Sequence, residues 1–311
     1  MPRYVNLDGT TPDKGLRDIL KWQIADRLAG RGRRVEHRPF TTPRRDNDGS
    51  ALLAAEPHVT WIGHASFVFR LGGQLVATDP VFASSMGPRR RLAPPGVAIE
   101  RLPPLDVVTV SHAHYDHMHL PSLRRLARRG QPTFVVPKDN GTLLREAGID
   151  RVVELGWWES TRIGALKVTL VPAQHWSMRM PWDRNTRLWG GFVYETEHGV
   201  AYHAGDTAMS EDVFRAIAER LPRIDWAMLP IGAYEPTWFM SPQHMGPEEA
   251  GNAWALLGAR TLLAMHWGTF RLTDEPIGEP PERIRAWFRD RGHPEERLWI
   301  LDVGETRPLL R

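Results

Sequence analysis

No cysteine occurs in the 311 residues. Disulfides and thiolate metal sites are therefore excluded, and a transition metal here would have to be held by histidine and carboxylate. No uninterrupted apolar run approaches the roughly 18 residues that a membrane span needs. The opening Met1-Pro2-Arg3-Tyr4-Val5-Asn6 contains no apolar signal core. The expected location is the cytoplasm. Neither charge sign dominates: 40 Lys and Arg face 37 Asp and Glu, for a net charge of +3. A sequence pI near 9.4 is mildly basic, well short of a nucleic-acid-binding composition, so no nucleic-acid partner is expected. No short internal repeat is visible.

What is present is an ordinary globular composition, 41% hydrophobic and 25% charged. Arginine is unevenly placed, in Arg31-Gly32-Arg33-Arg34, Arg89-Arg90-Arg91 and Arg124-Arg125…Arg128-Arg129. Two readings of these clusters stay open, solvated surface and attraction to phosphate or anionic headgroups.

The chain divides by pattern into residues 1–50, a helix and a basic arm, and residues 51–311, the main domain. Within the first part, 13–28 predicts one helix, with Leu16, Ile19, Leu20, Ile24 and Leu28 on its apolar face. Such a face either packs on the body or meets a membrane surface. From Val59 the pattern turns to short apolar runs: 59–62, 66–71, 74–78, 107–110, 133–136, 152–155, 166–171, 191–195, 200–204, 226–231 and 261–266. Gly72-Gly73 marks a hairpin. Helices are expected over 121–129, 211–220, 247–257 and 281–291. Strand groups alternating with helices predict an α+β arrangement of two packed sheets with helices outside.

The densest chemistry is Ser111-His112-Ala113-His114-Tyr115-Asp116-His117, directly after the apolar Val107-Val108-Thr109-Val110. An H-x-H-x-D-H cluster at a strand end offers imidazole, which suits zinc, and a hard anionic donor. Three later apolar runs also end on a metal-capable residue: His175, Asp206 and His266. Two divalent ions would carry four positive charges, of which Asp116 and Asp206 cancel two. The remainder favours a bridging hydroxide and an anionic substrate.

H-x-H-x-D-H, a lone His, Gly205-Asp206-Thr207 and a further lone His, spanning 112–266, resemble the metallo-β-lactamase superfamily. The resemblance implies a four-layer αβ/βα sandwich with a dinuclear site at one sheet edge. His112, His114 and His175 would hold the first metal, Asp116, His117 and His266 the second, and Asp206 both. His114 stands where the flavin-linked diiron branch carries Glu, which favours hydrolysis by zinc over redox chemistry. Two zinc ions are expected, with iron or manganese as alternatives.

Further segments narrow the match. Thr60-Trp61-Ile62-Gly63-His64-Ala65-Ser66, Thr78-Asp79-Pro80-Val81-Phe82 and Pro230-Ile231-Gly232-Ala233-Tyr234-Glu235-Pro236-Thr237-Trp238 resemble N-acyl-phosphatidylethanolamine-hydrolysing phospholipase D and its bacterial relatives. So do Gln243-His244 and Met265-His266-Trp267-Gly268. The implied activity is phosphodiester hydrolysis of a phospholipid by metal-bound hydroxide. Asp116, Asp206 and His244 would be catalytic. Gln243, His244, Trp176 and Tyr115 would meet the substrate, and Asp79, His64 and His203 would support the ligands from behind. Peripheral contact with a membrane and a homodimer are further expectations of the resemblance. The runner-up keeps the metals but cleaves a lactone, an amide or a cyclic phosphate. An apolar groove between the N-terminal helix and the metal face would favour lipid; a small closed polar pocket would favour the runner-up.

Overall fold

The computed structural model describes residues 3–12, 14–30, 32 and 39–310. Arg31, Arg33 and Arg34 of the first arginine cluster lie outside them, as does Asp13 at the expected helix start. The strands are β1 His58–Gly63, β2 Ser66–Leu71, β3 Gln74–Thr78, β4 Ser85–Met86, β5 Arg89–Arg90, β6 Val107–Thr109, β7 Thr133–Pro137 and β8 Val152–Leu155. They continue with β9 Ser160–Ile163, β10 Leu166–Val171, β11 Gly191–Thr196, β12 Gly199–His203, β13 Trp226–Pro230, β14 Thr261–Met265, β15 Leu298–Trp299 and β16 Thr306–Pro308.

Two seven-stranded sheets result, in the orders β16-β1-β2-β3-β6-β7-β8 and β15-β14-β13-β12-β11-β10-β9, with β4 and β5 as a separate small hairpin. Each sheet is antiparallel on one side and parallel on the other. The first sheet is buried on both faces, and its side chains alternate accordingly. On β2, Phe67, Phe69 and Leu71 enter the core between the sheets, while Val68 turns to the other side. The same alternation places Val107 inside and Val108 outside on β6, and Val135 inside and Phe134 outside on β7.

The outer core of the first sheet is closed by Leu123 and Leu126 of the helix Leu120–Gly130. The second sheet is covered by the helices Glu211–Arg220, Pro247–Leu257 and Glu279–Asp290, through Phe214, Trp254 and Trp287. Phe69 and Tyr194 meet edge-on across the sheets at 5.0 Å, and the Tyr194 hydroxyl reaches Thr109 Oγ1 at 2.6 Å. This is the expected four-layer αβ/βα sandwich.

Of the two readings of the N-terminal helix, packing of its apolar face on the body does not hold for the residues described, and the Leu16 side chain lies outside them. Residues 16–28 are helical, but Ile19, Leu20, Ile24 and Leu28 are exposed. The body is met instead by Trp22, whose ring lies 5.0 Å from Phe239 and whose indole N–H donates to Asp274. The helix widens into a π turn over Lys21–Ala25, which shifts the phase of the side chains that follow. Of the basic arm, Arg45 N–H donates to the Val303 carbonyl at 2.8 Å, so this stretch lies along the main domain. Among the described residues, no helix is long and apolar enough to cross a membrane.

Candidate metal centre

Every expected ligand leaves the C-terminal end of a strand at one edge of the sandwich. His112–His117 follow β6, His175 follows β10, Asp206 follows β12 and His266 follows β14. His64 follows β1 and Asp79 follows β3. Three of these turns put a non-glycine residue in the left-handed region: His64 at φ 58°, Asp79 at φ 37° and His266 at φ 63°. Such backbone costs of order 1–3 kcal/mol per residue and persists only where the surroundings over-determine it. Here His64 supplies the surroundings for His266, since its carbonyl accepts the His266 N–H at 3.1 Å.

The side chains converge into groups whose donor atoms lie within 4.8 Å of one another: His112, His114, His175 and Asp206, then His64, Asp116, His117 and His266. His112 Nε2 and His175 Nε2 lie 2.8 and 3.2 Å from His114 Nδ1. Asp206 stands between the groups. Its Oδ2 is 3.8 Å from His112 Nε2 and 3.1 Å from His117 Nε2, and its Oδ1 is 3.1 Å from His266 Nε2. All seven expected ligands are thus brought together.

On three of the histidines the ring nitrogen turned away from the centre is held. His117 Nδ1 donates to Asp79 Oδ2 at 2.7 Å, and His175 Nδ1 donates to the Gln243 carbonyl at 2.8 Å. The Ser111 hydroxyl donates to Asp79 Oδ2 at 2.6 Å, which leaves its oxygen free to accept His112 Nδ1–H at 2.9 Å. These partners fix the tautomers and leave the Nε2 lone pairs of three histidines aimed inward.

Electrostatics agree. Burial first, then His117 and its other imidazole neighbours, hold His112 well below the ordinary histidine pKa; burial does the same for His175 and takes His114 to about 4. His117 goes the other way: burial opposes its charge, but Asp206, Asp116 and Asp79 outweigh burial and raise it. Burial also opposes charge on Asp206, yet His117 and His266 pull that carboxyl well down.

The donor set fits a divalent ion on its own chemistry. His117 Nε2, His266 Nε2 and Asp206 Oδ1 are buried without a hydrogen-bond partner, and buried polar atoms left so cost free energy. With the proton that the carboxylates hold on His117 displaced, imidazoles and two carboxylates are a zinc-type N/O set.

The supporting residues separate into distinct roles. Asp79 accepts Ser111 N–H at 2.7 Å on Oδ1 and holds His117 on Oδ2, so it fixes both ends of the ligand loop. His64 Nε2 lies 3.0 Å from Asp116 Oδ2, within reach of the second group as a fourth donor. His203 makes no hydrogen bond to the seven. Its Nε2 donates to the Ala65 carbonyl at 2.8 Å, and its Nδ1 accepts from Gly205 N–H, just before Asp206.

Of the expected substrate residues, His244 lies over the centre, its ring 5.3 Å from His175 and 5.6 Å from His266. Burial takes it to a pKa of about 4, so it is a neutral imidazole. Gln243 reaches the site through its backbone, while its side-chain amide donates to Met240 Sδ. Trp176 stands edge-on to His114 at 4.6 Å, and Tyr115 is at the rim, its ring under the Arg179 guanidinium.

Above the donors lies a cavity of about 340 Å³. Its walls include residues that sequence reasoning missed: Trp22, Met178, Arg179, Met240 and Leu272. It also missed Asn6, whose Oδ1 accepts the His175 N–H. Ser111 had a signal, since it abuts the motif. Asn6 and Trp22 had none, because their partners are more than a hundred residues away in the chain.

Comparison with known proteins identifies the family and fold. Residues 75–267 match the model of the β-lactamase superfamily domain. The chain is 35% identical over 264 residues to N-acyl-phosphatidylethanolamine-hydrolyzing phospholipase D 1 of Caenorhabditis elegans, covering 79% of this chain and 74% of that protein. It is 32% identical over 251 residues to a metal-dependent hydrolase of Methanopyrus kandleri, covering 80% of this chain and 98% of that one. Among solved structures, a metallo hydrolase of Ignicoccus hospitalis superposes with a TM-score of 0.62 at 23% identity, over 81% of this chain and 97% of that one. The chain belongs to the metallo-β-lactamase superfamily and is a metal-dependent hydrolase of that fold.

Proposed function

We propose that this hydrolase is a zinc-dependent phosphodiesterase of the phospholipase D type, acting on N-acyl-phosphatidylethanolamine or a related phospholipid. The observation that carries the reading is the union of the donor cluster and an apolar wall in one cavity. His114, Asp116, Asp206 and His266 line one part of it, and Trp22, Met178, Met240 and Leu272 another. A phosphodiester suits the first and an acyl-bearing group the second. A small polar pocket, the mark of the runner-up, would lack that wall. The activity named for the C. elegans relative supports the same substrate class.

In this reading His112, His114 and His175 hold one zinc ion, Asp116, His117 and His266 the other, and Asp206 both. Iron or manganese would accept the same donors. When bound, the two ions supply Lewis-acid charge to the phosphate oxygens and acidify the attacking water. The chain's own residues do the rest. Asp79, Ser111 and the Gln243 carbonyl keep the imidazoles in the tautomer that presents a lone pair. Neutral His244 donates a hydrogen bond to a phosphate oxygen. Trp176 and Tyr115 border the same space, and Trp22 keeps water from the apolar side.

A peripheral membrane contact goes with this substrate. Ile19, Leu20, Ile24 and Leu28 are 43%, 47%, 53% and 86% exposed on the helix that carries Trp22. Arg17 and Lys21 stand on the same helix, and an apolar face flanked by cations suits an anionic lipid surface.

The test is hydrolysis by metal-quantified protein of N-acyl-phosphatidylethanolamine and a soluble aryl phosphodiester, with products identified by mass spectrometry. Acylethanolamide and phosphatidic acid, lost in Asp206→Asn, are expected. Cleavage of the soluble diester alone would leave a phosphodiesterase with another substrate. Cleavage of neither, with metal bound, would point to a lactone or an amide.

A further inference from the structure

The arginines of the helix Leu120–Gly130 fall into two pairs. Arg125 is ion-paired with Glu100, and Arg129 Nη2 donates to the carbonyls of Glu100 and Leu102 at 2.8 and 3.0 Å. These two are occupied by the 100–102 segment. Arg124 and Arg128, one helical turn apart, instead line a cavity of about 390 Å³. Arg151, at the entry to β8, joins them, and Phe134 and Ile149 form a buried apolar floor.

The position of this cavity follows from strand register. Val107 of β6 pairs in parallel with Thr133 of β7, and Phe134 pairs with Val152 of β8. Arg151 therefore precedes its strand at the edge of the sheet where β6 begins. His112 follows the end of β6, at the opposite edge. The cavity and the metal centre are separate, so the arginine cluster at 124–129 does not serve the mouth of the metal site.

Its charge is unbalanced. Three arginines line it, against one carboxylate, Asp150. Among the described residues, Arg124 and Arg151 bond only to carbonyls: Arg124 Nε to Ala147 at 2.9 Å and Arg151 Nη1 to Gln131 at 3.2 Å. Arg128 makes no hydrogen bond or ion pair among them. The helix dipole favours a cation at Arg128. It does nothing for Arg151, which is off the helix, and like charges at i, i+4 repel.

We propose that this cavity is a second anion site that takes a phosphate group, as inorganic phosphate, as a small phosphomonoester, or on a lipid headgroup. Guanidinium presents paired donors that match phosphate oxygens. Nε of Arg124 and one terminal nitrogen of Arg151 are anchored on carbonyls, which orders those two groups and leaves their remaining donors for the ligand. The volume is that of an ordinary small-molecule site.

The experiment compares the metal-loaded full chain with Arg128→Gln and with Arg128→Gln/Arg151→Gln. Arg128 has no partner to lose among the described residues, so the single variant keeps the fold. Inorganic phosphate and glycerol phosphate are titrated by calorimetry, and vesicles with and without phosphatidic acid are co-sedimented. The metal centre also attracts phosphate, so the readout is the number of equivalents. Wild type is expected to bind one equivalent more than the double variant, with equal metal content. Each guanidinium removed should weaken that equivalent roughly tenfold to a hundredfold. Loss confined to phosphatidic-acid vesicles would support the same site with a lipid-borne phosphate. Equal equivalents and equal vesicle binding in wild type and both variants would overturn the proposal.

Discussion

The side-chain oxygen of Asn6 accepts the backbone N–H of His175 at 3.0 Å. The same oxygen accepts the indole N–H of Trp189 at 3.1 Å, and Asn6 itself is buried. A residue near the chain's start thus fixes the loop that delivers a histidine to the centre. Asp8 and Thr10 extend the hold through Gln174, the neighbour of His175. Asn6→Ala removes the acceptor from two buried donors, at a cost of about 1–3 kcal/mol. Metal retained after dialysis, measured by elemental analysis, should fall, with affinity down roughly tenfold. Asn6→Asp keeps the oxygen and should retain more metal than Asn6→Ala. Full metal retention in the alanine variant would show that the loop holds His175 unaided.

Asp79 bears on the centre from the other side. Its two oxygens receive Ser111 N–H, the Ser111 hydroxyl and His117 Nδ1–H. An amide in its place can accept on one atom only, so Asp79→Asn turns an N–H toward one of these donors. The His117 tautomer is then no longer fixed. Metal affinity measured against a competing chelator should drop roughly tenfold to a hundredfold, with the far-ultraviolet circular dichroism unchanged. A variant that holds metal as tightly as wild type would remove Asp79 from the supporting set.

Much of this site was legible because its signals are local. Each donor segment follows an apolar run, so the order of strands and donors could be read together. The hairpin at Gly72-Gly73 and the helices Glu211–Arg220 and Pro247–Leu257 announced themselves in the same way. What stayed hidden depends on tertiary structure. The left-handed backbone of His64, Asp79 and His266 contradicts local preference and is held by packing and by bonds between loops. β9, Ser160–Ile163, is polar and partly exposed at the end of its sheet, so it lacks an apolar signature. In the N-terminal helix periodicity left two readings open: Ile19, Leu20, Ile24 and Leu28 face outward, while Trp22 in the π turn packs on Phe239.

Stability should depend on pH through His58, away from the metal centre. Burial lowers its pKa from the usual 6.5, and its Nε2 is buried without a partner while Nδ1 faces the Glu56 carbonyl at 2.8 Å. The folded state binds this proton less readily than the unfolded chain does. Its share of stability is therefore present above pH 6.5 and is lost as the pH falls through the depressed value. Thermal unfolding of wild type and His58→Gln, compared between about pH 8 and pH 5, should show the smaller loss in the variant. Equal losses would mean that His58 protonates in the folded protein without penalty.

Trp22 separates the lipid reading from its rivals. Its ring packs on Phe239 and walls the cavity above the metal donors. If an acyl-bearing group lies against it, Trp22→Ala should raise KM for N-acyl-phosphatidylethanolamine in detergent roughly tenfold or more. That corresponds to a buried aromatic contact of about 1.5–3 kcal/mol. A soluble aryl phosphodiester reaches the donors without that wall, so its kcat/KM should stay within about twofold. Trp22→Phe keeps an apolar ring and should recover most of the lipid activity, which a change in fold would not allow. An equal loss on both substrates would make Trp22 a purely structural anchor of the N-terminal helix. No loss on either would remove the apolar wall from the substrate site, and with it the main support for a lipid substrate.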